Sequence, residues 1–112
     1  MAKKTSLEHI ESTVKEYANL LRADGIDIKK ILLYGSYAKR KQKKDSDIDS
    51  CIISDRFGKN PTEEGKYFFR KLWLMKNANI EPIGYSPNYF YNENNWSPLI
   101  DEIKKTGIEL KV

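Results

Sequence analysis

Tyr34-Gly35-Ser36-Tyr37-Ala38-Lys39, followed by Ser46-Asp47-Ile48-Asp49, is the stretch whose reading decides the fold. It reads as a strand, a tight Gly-Ser turn, a short basic helix and a second strand carrying alternate carboxylates. Gly35 lets the backbone turn sharply and approach a ligand, because it carries no Cβ. Ser36 then opens a short helix, where free N–H groups and a hydroxyl meet phosphate oxygens. Helical spacing from Ser36 to about Lys41 brings Lys39 and Arg40 over the same face, within reach of a triphosphate. Asp47 and Asp49 stand two apart, so on a strand both point to one face. Neighbouring carboxylates repel unless cations neutralise them, and hard oxygen donors of this kind suit Mg²⁺. A phosphate cradle and paired acids so close in sequence point to chemistry on a nucleotide.

Outward from this centre, the N-terminal side reads as helix then strand. Thr5-Ser6-Leu7-Glu8 forms a capping-box pattern. Leu7, Ile10, Val14, Tyr17, Ala18 and Leu21 follow at helical spacing, and Asp24-Gly25 ends the helix. His9 reads as a surface residue of that helix. Ile28 to Tyr34, with Ile31, Leu32 and Leu33, has the length and composition of a buried central strand.

On the C-terminal side, Ser46 to Ile53 alternates as a strand. Asp47, Asp49, Cys51 and Ile53 share one face, which places Cys51 beneath the carboxylates as a small buried hydrophobe. Asn60-Pro61-Thr62-Glu63 supplies a cap residue, a proline at the first helical position and an acid at the third. Phe68, Phe69, Leu72 and Met75, with Trp73 alongside, are expected to form that helix's core-facing stripe. A helix between two strands argues for an α/β arrangement with parallel pairing nearby. Asn79 to Tyr85 is a further strand, placed by Pro82 at an edge or a bulge. Glu81, charged amid apolar neighbours, reads as an ion-paired residue or a third site carboxylate. The Tyr-, Phe- and Asn-rich segment 86–96 fits either a packed loop or a partner surface. Ser97-Pro98 opens a last helix that Gly107 stops, and residues 108–112 alternate as a terminal strand or tail.

Composition bounds the function classes. The 112 residues are expected to form one domain, 1–112, and 39% hydrophobic with 32% charged residues is the balance of a folded rather than a disordered chain. No apolar run approaches a membrane span, so a cytoplasmic protein without a membrane partner is expected. A single cysteine excludes an internal disulfide and a thiolate zinc cluster. The net charge of +4 is concentrated in Lys39-Arg40-Lys41-Gln42-Lys43-Lys44. With one basic cluster and no interleaved aromatics, direct nucleic-acid binding is not expected.

The spaced set Gly35-Ser36, Asp47-Ile48-Asp49, with ten residues between Ser36 and Asp47, resembles the signature of the nucleotidyltransferase superfamily related to DNA polymerase beta. More closely, the chain resembles the minimal nucleotidyltransferases, antitoxin partners of HEPN-domain toxins. Ile80-Glu81-Pro82 is similar to the family's third acidic strand, and Lys105-Thr106-Gly107-Ile108 to its usual end. The resemblance implies a small mixed sheet flanked by helices, an α/β (α+β) fold like the polymerase palm. It implies two Mg²⁺ ions held by Asp47, Asp49 and Glu81, and ATP held by Gly35 and Ser36 with Lys39 and Arg40. It further implies transfer of AMP to a tyrosine hydroxyl of a HEPN toxin. Two departures are visible: Arg40 stands where the family has Gly, and Ser50 where it has an apolar residue. Two other functions fit the same residues. One is transfer to a small, aminoglycoside-type molecule with a second subunit completing the pocket; the other is a non-catalytic module that binds nucleotide or toxin.

Overall fold

A computed structural model describes residues 7–35, 37–38, 47–75, 79–94 and 97–112. Helix α1 (Leu7–Ala23) leads into β1 (Lys30–Tyr34) and β2 (Ile48–Ile53). Helix α2 (Pro61–Leu72) then leads to β3 (Ile80–Tyr85), a single turn α3 (Pro87–Phe90), α4 (Pro98–Thr106) and a short β4 (Ile108–Glu109). The strands form one mixed sheet in the order β3-β2-β1-β4. β1 pairs antiparallel with β2 and β4, whereas β2 and β3 run parallel with α2 as the crossover. The expected parallel unit, the central β1 and the terminal strand are all present.

Alternation along the strands assigns the two faces of the sheet. Ile31 and Leu33 of β1 and Ile48 and Ile52 of β2 pack with the apolar stripe of α1 and with Phe68 of α2. Cys51 and Ile53 point the other way and are covered by Phe90 of α3 and Ile100 and Ile103 of α4. The sheet thus lies between two helical layers. Among the described residues no helix is long and apolar enough to cross a membrane.

Local signals explain the element ends. Gly25 adopts φ +86°, with its N–H donating to Arg22 O and the Ile26 N–H to Leu21 O, a Schellman closure of α1. Asn60 caps α2 by accepting from the Glu63 N–H at 3.2 Å. The acid that completes this cap is Glu64 rather than the neighbouring Glu63. Its carboxylate accepts from the backbone N–H groups of Gly58, Lys59 and Asn60, each at 3.0 Å. Partial burial works to raise the Glu64 pKa, but these three donors outweigh it and hold the carboxyl below its ordinary range. Its stabilisation is therefore present above the unfolded-state pKa and is lost as pH falls through the lower folded value. Glu64→Ala is expected to destabilise the protein by about 2 kcal/mol, the scale of hydrogen bonds to a charged acceptor, as read from denaturant melts at neutral pH.

β3 is an edge strand, which accounts for Pro82 within it. The carbonyls of Asn79 and Tyr85 accept from the Ile48 and Ser54 N–H groups on the β2 side. Counting in twos between them, the nitrogen of Pro82 faces the open edge, where no sheet bond is lost.

The expected stripe of α2 is only partly inside. Phe68 and Met75 are buried and Leu72 is half-buried, but Phe69 and Trp73 are 60% and 75% exposed. Adjacent residues on a helix lie about 100° apart, and α2 packs with Phe68 turned to the core and Phe69, at the edge of the stripe, turned to solvent. In the 86–96 segment Phe90 is buried and Tyr89 and Tyr91 remain exposed, so its described part both packs on the domain and presents aromatic surface.

Candidate active site

The site is built at one end of the α3/α4-covered face of the sheet. Along β2 exposure rises towards the start of the strand: Cys51 is buried, Asp49 half-buried and Asp47, just ahead of the strand, exposed. The register sets Asp49 beside Tyr34 of β1 on one side and Glu81 of β3 on the other. Among the described residues, the cross-strand neighbour of Glu81 is another acid, Asp49. The two are neighbours on the parallel pair β2–β3, so two acids stand side by side and each disfavours ionisation of the other.

Burial, then the hydrogen bond and negative charge of Glu81, then the charge of Asp47, push Asp49 up to about 6. Asp49 carries the shift because it is the less solvated of the two neighbours. Tyr34 feels the same surroundings. Burial and the adjacent Asp49 charge raise its hydroxyl pKa, which keeps the phenol neutral beside the acids.

Gly35 follows β1 with φ +75°, a left-handed conformation that suits glycine. A Cβ at this position would collide with the Asp49 carboxylate oxygen Oδ2. The turn and the carboxylate therefore touch, and the missing side chain is what lets them do so.

The structure brings Gly35, Asp49 and Glu81 together and places Asp47 near enough for its charge to act on Asp49. Among the described residues, no three His, Cys, Asp or Glu side chains gather into a ready metal cage, so Asp47 is not drawn in with the other two. Ser36, Lys39 and Arg40, expected to contact phosphate, lie outside the described residues. The donor chemistry still fits a hard divalent cation. Asp49 and Glu81 present only oxygens, and a cation between them would relieve the repulsion that raises the Asp49 pKa.

Cys51 lies under the acids as expected, fully buried, and burial pushes its thiol up to about 12. It is expected to resist thiol reagents in the folded protein and to react only on denaturation, which a timed thiol titration checks. Ser50, the departure from an apolar residue, is also fully buried and donates its hydroxyl to Ile48 O at 3.4 Å. Tyr34 is the site neighbour that sequence reading passed over. Its position directly before Gly35 was the available signal, but its contact with Asp49 depends on the β1–β2 register.

Comparisons with known proteins identify the family and bear on the fold. Residues 14–108 match the family model described as a nucleotidyltransferase domain. The chain is similar to a protein of Methanocaldococcus jannaschii named "putative protein adenylyltransferase", with 34% identity over 91 residues, covering 78% of this chain and 84% of that protein. It also resembles a chain in a crystal structure of a toxin-antitoxin with AMP-PNP, at a TM-score of 0.61 and 22% identity, covering 90% of this chain and 72% of the other. At that identity the likeness speaks for the fold, a mixed sheet between helices. With the family match running from within α1 to β4 and taking in the Gly35, Asp49 and Glu81 site, this chain belongs to the nucleotidyltransferase domain family.

Proposed function

We propose that this nucleotidyltransferase, acting as one domain over residues 1–112, transfers AMP from ATP to a hydroxyl of a partner protein. The observation that carries the reading is the Asp49–Glu81 carboxyl pair, set side by side on parallel strands with Gly35 turned against it. In the reaction the acceptor oxygen forms a bond to the α-phosphorus, the α–β bridging bond breaks and pyrophosphate leaves. Asp49 and Glu81, with Asp47 beside them, would hold Mg²⁺, two ions by the family resemblance. When bound, Mg²⁺ would supply charge neutralisation for the attacking and leaving oxygens. Glu81, the exposed member of the pair, receives the proton of the acceptor hydroxyl. Gly35 keeps its backbone close to the carboxylates, and Ser36, Lys39 and Arg40 hold the phosphates.

The acceptor in this proposal is a tyrosine of a HEPN-type toxin, and the chain acts as its antitoxin in the cytoplasm. Support comes from the name of the Methanocaldococcus jannaschii relative, "putative protein adenylyltransferase", and from the fold shared with a toxin-antitoxin structure that contains AMP-PNP. The test is a transfer assay with α-labelled ATP, Mg²⁺ and lysate of the source cells, resolved by gel and by thin-layer chromatography. Label on one protein band, absent with Asp47→Asn, is the expected result. Label confined to a small molecule would replace the protein acceptor by a small one. Nucleotide binding without any label would leave a non-catalytic binder.

A further inference from the structure

Helix α2 turns an unusual face to solvent. Lys66, Phe69, Arg70 and Trp73 follow one another at spacings of three, one and three residues, which sets them along one side of the helix. All four are exposed, and Leu74, 64% exposed, extends the patch past the helix end. Phe69 and Trp73 pack edge to face, with ring centroids 5.9 Å apart, so the aromatic centre is ordered against itself. Contiguous apolar surface rimmed by polar groups marks an interaction site rather than ordinary solvent-facing helix.

From the charge around this centre, we infer that the α2 face is a docking surface for a protein segment that is apolar in the middle and acidic at its rim. Lys66 and Arg70 flank the rings on the helix, and the C-terminal turn of α2 is basic. The acid on this side, Glu63, lies at the far N-terminal end, 3.6 Å from Lys66. A second copy is a poor occupant. A two-fold contact centred on Phe69 and Trp73 would bring the two Arg70 side chains together. Single-stranded nucleic acid is also a poor occupant, because rings at an interplanar angle of 89° offer no parallel platforms for successive bases. An acidic rim meets both cations while its apolar centre covers Phe69, Trp73 and Leu74. The surface is independent of the catalytic reading, so it can fail or hold without regard to AMP transfer.

The test uses the Trp96→Phe chain, in which Trp73 is the remaining tryptophan. Two synthetic amphipathic helical peptides serve as probes, identical in their leucine face and carrying either glutamates or lysines beside it. The glutamate peptide is expected to shift Trp73 emission to shorter wavelength in a saturable manner, and more weakly as NaCl rises. Lys66→Glu with Arg70→Glu should weaken that binding at least about tenfold, as should Phe69→Ser, with the far-ultraviolet dichroism of the folded chain retained because these side chains are exposed. The control reversals Lys15→Glu and Arg22→Glu on α1 should leave binding as it was. Equal binding of the lysine peptide, or insensitivity to the α2 reversals, overturns the inference. So does a concentration-dependent dimer in sedimentation that Trp73→Ser abolishes, which would make the occupant a second copy. Binding of an oligothymidylate through the same residues would make it a nucleic acid.

Discussion

Gly35→Ala is expected to reduce nucleotidyl transfer by about a hundredfold or more while the chain still folds, because small displacements of reacting groups carry losses of that size. Two effects combine at this residue. A non-glycine residue in the left-handed conformation that Gly35 holds, φ +75°, costs roughly 1–2 kcal/mol. The added methyl would also occupy the space of Asp49 Oδ2, so the carboxylate or the turn must move. Gly25→Ala separates the two effects. Gly25 has φ +86°, yet nothing lies within 4 Å of where its Cβ would be. That variant should lose about 1 kcal/mol of stability and keep its transfer rate. Melting curves and single-turnover transfer on the two alanine variants make the comparison; similar rates for both would show that the contact with Asp49 does not matter.

Asp49→Asn is expected to pull activity and stability in opposite directions. Transfer should fall by at least about 10²–10³-fold, the scale on which a single group stabilising transition-state charge is lost. The fold should gain, because an amide beside Glu81 removes both the partial desolvation of the Asp49 charge and its repulsion with Glu81. The pH dependence fixes the sign. Asp49 has a folded pKa of about 6, above the roughly 3.9 of an unfolded aspartate. The folded chain therefore binds this proton more tightly, and its penalty is fully present above the folded value and fades as pH falls towards the unfolded one. The variant should melt a few degrees higher than the natural chain near pH 7.5, and the gap should close by about pH 4. Mg²⁺ held as proposed would relieve the same repulsion, so at pH 7.5 it should raise the melting temperature of the natural chain more than that of the variant. A variant that melts lower at every pH would show that the pair is not under strain.

Much of this architecture is written in local pattern. The alternation of Asp47, Asp49, Cys51 and Ile53 assigns the acids to one face, with burial increasing along it, and this is what β2 does. Pro82 announces an edge because a missing N–H is tolerated only there. The acid pair across β2 and β3 was legible as a set of residue types and a spacing. The direct juxtaposition of Asp49 and Glu81 was not, since it depends on register between strands that α2 separates in sequence. The same holds for the Gly35 contact: sequence identifies a glycine suited to a tight turn, but not the carboxylate that would collide with its Cβ. In α2 the spacing rule admits both Phe68 and Phe69, and packing against β3 and α1 decides in favour of Phe68. Glu63 and Glu64 are equally acidic near a helix start. The direction of the loop 58–60, whose N–H groups converge on Glu64, selects between them.

The position of Pro82 has a consequence for how the protein survives in a crowded cell. β3 ends the sheet, and an unprotected sheet edge is a template on which other chains can add strands. Here the edge strand carries Pro82, whose backbone nitrogen has no hydrogen to donate, and, directly before it, the charged Glu81. Both features are ones that natural sheets use to discourage strand addition. The carboxylate proposed for proton transfer thus also discourages strand addition at this edge. Replacing Glu81 with an apolar residue would remove a chemical group and a safeguard against aggregation in one step, so loss of activity in such a variant should be judged only on protein shown to be monodisperse.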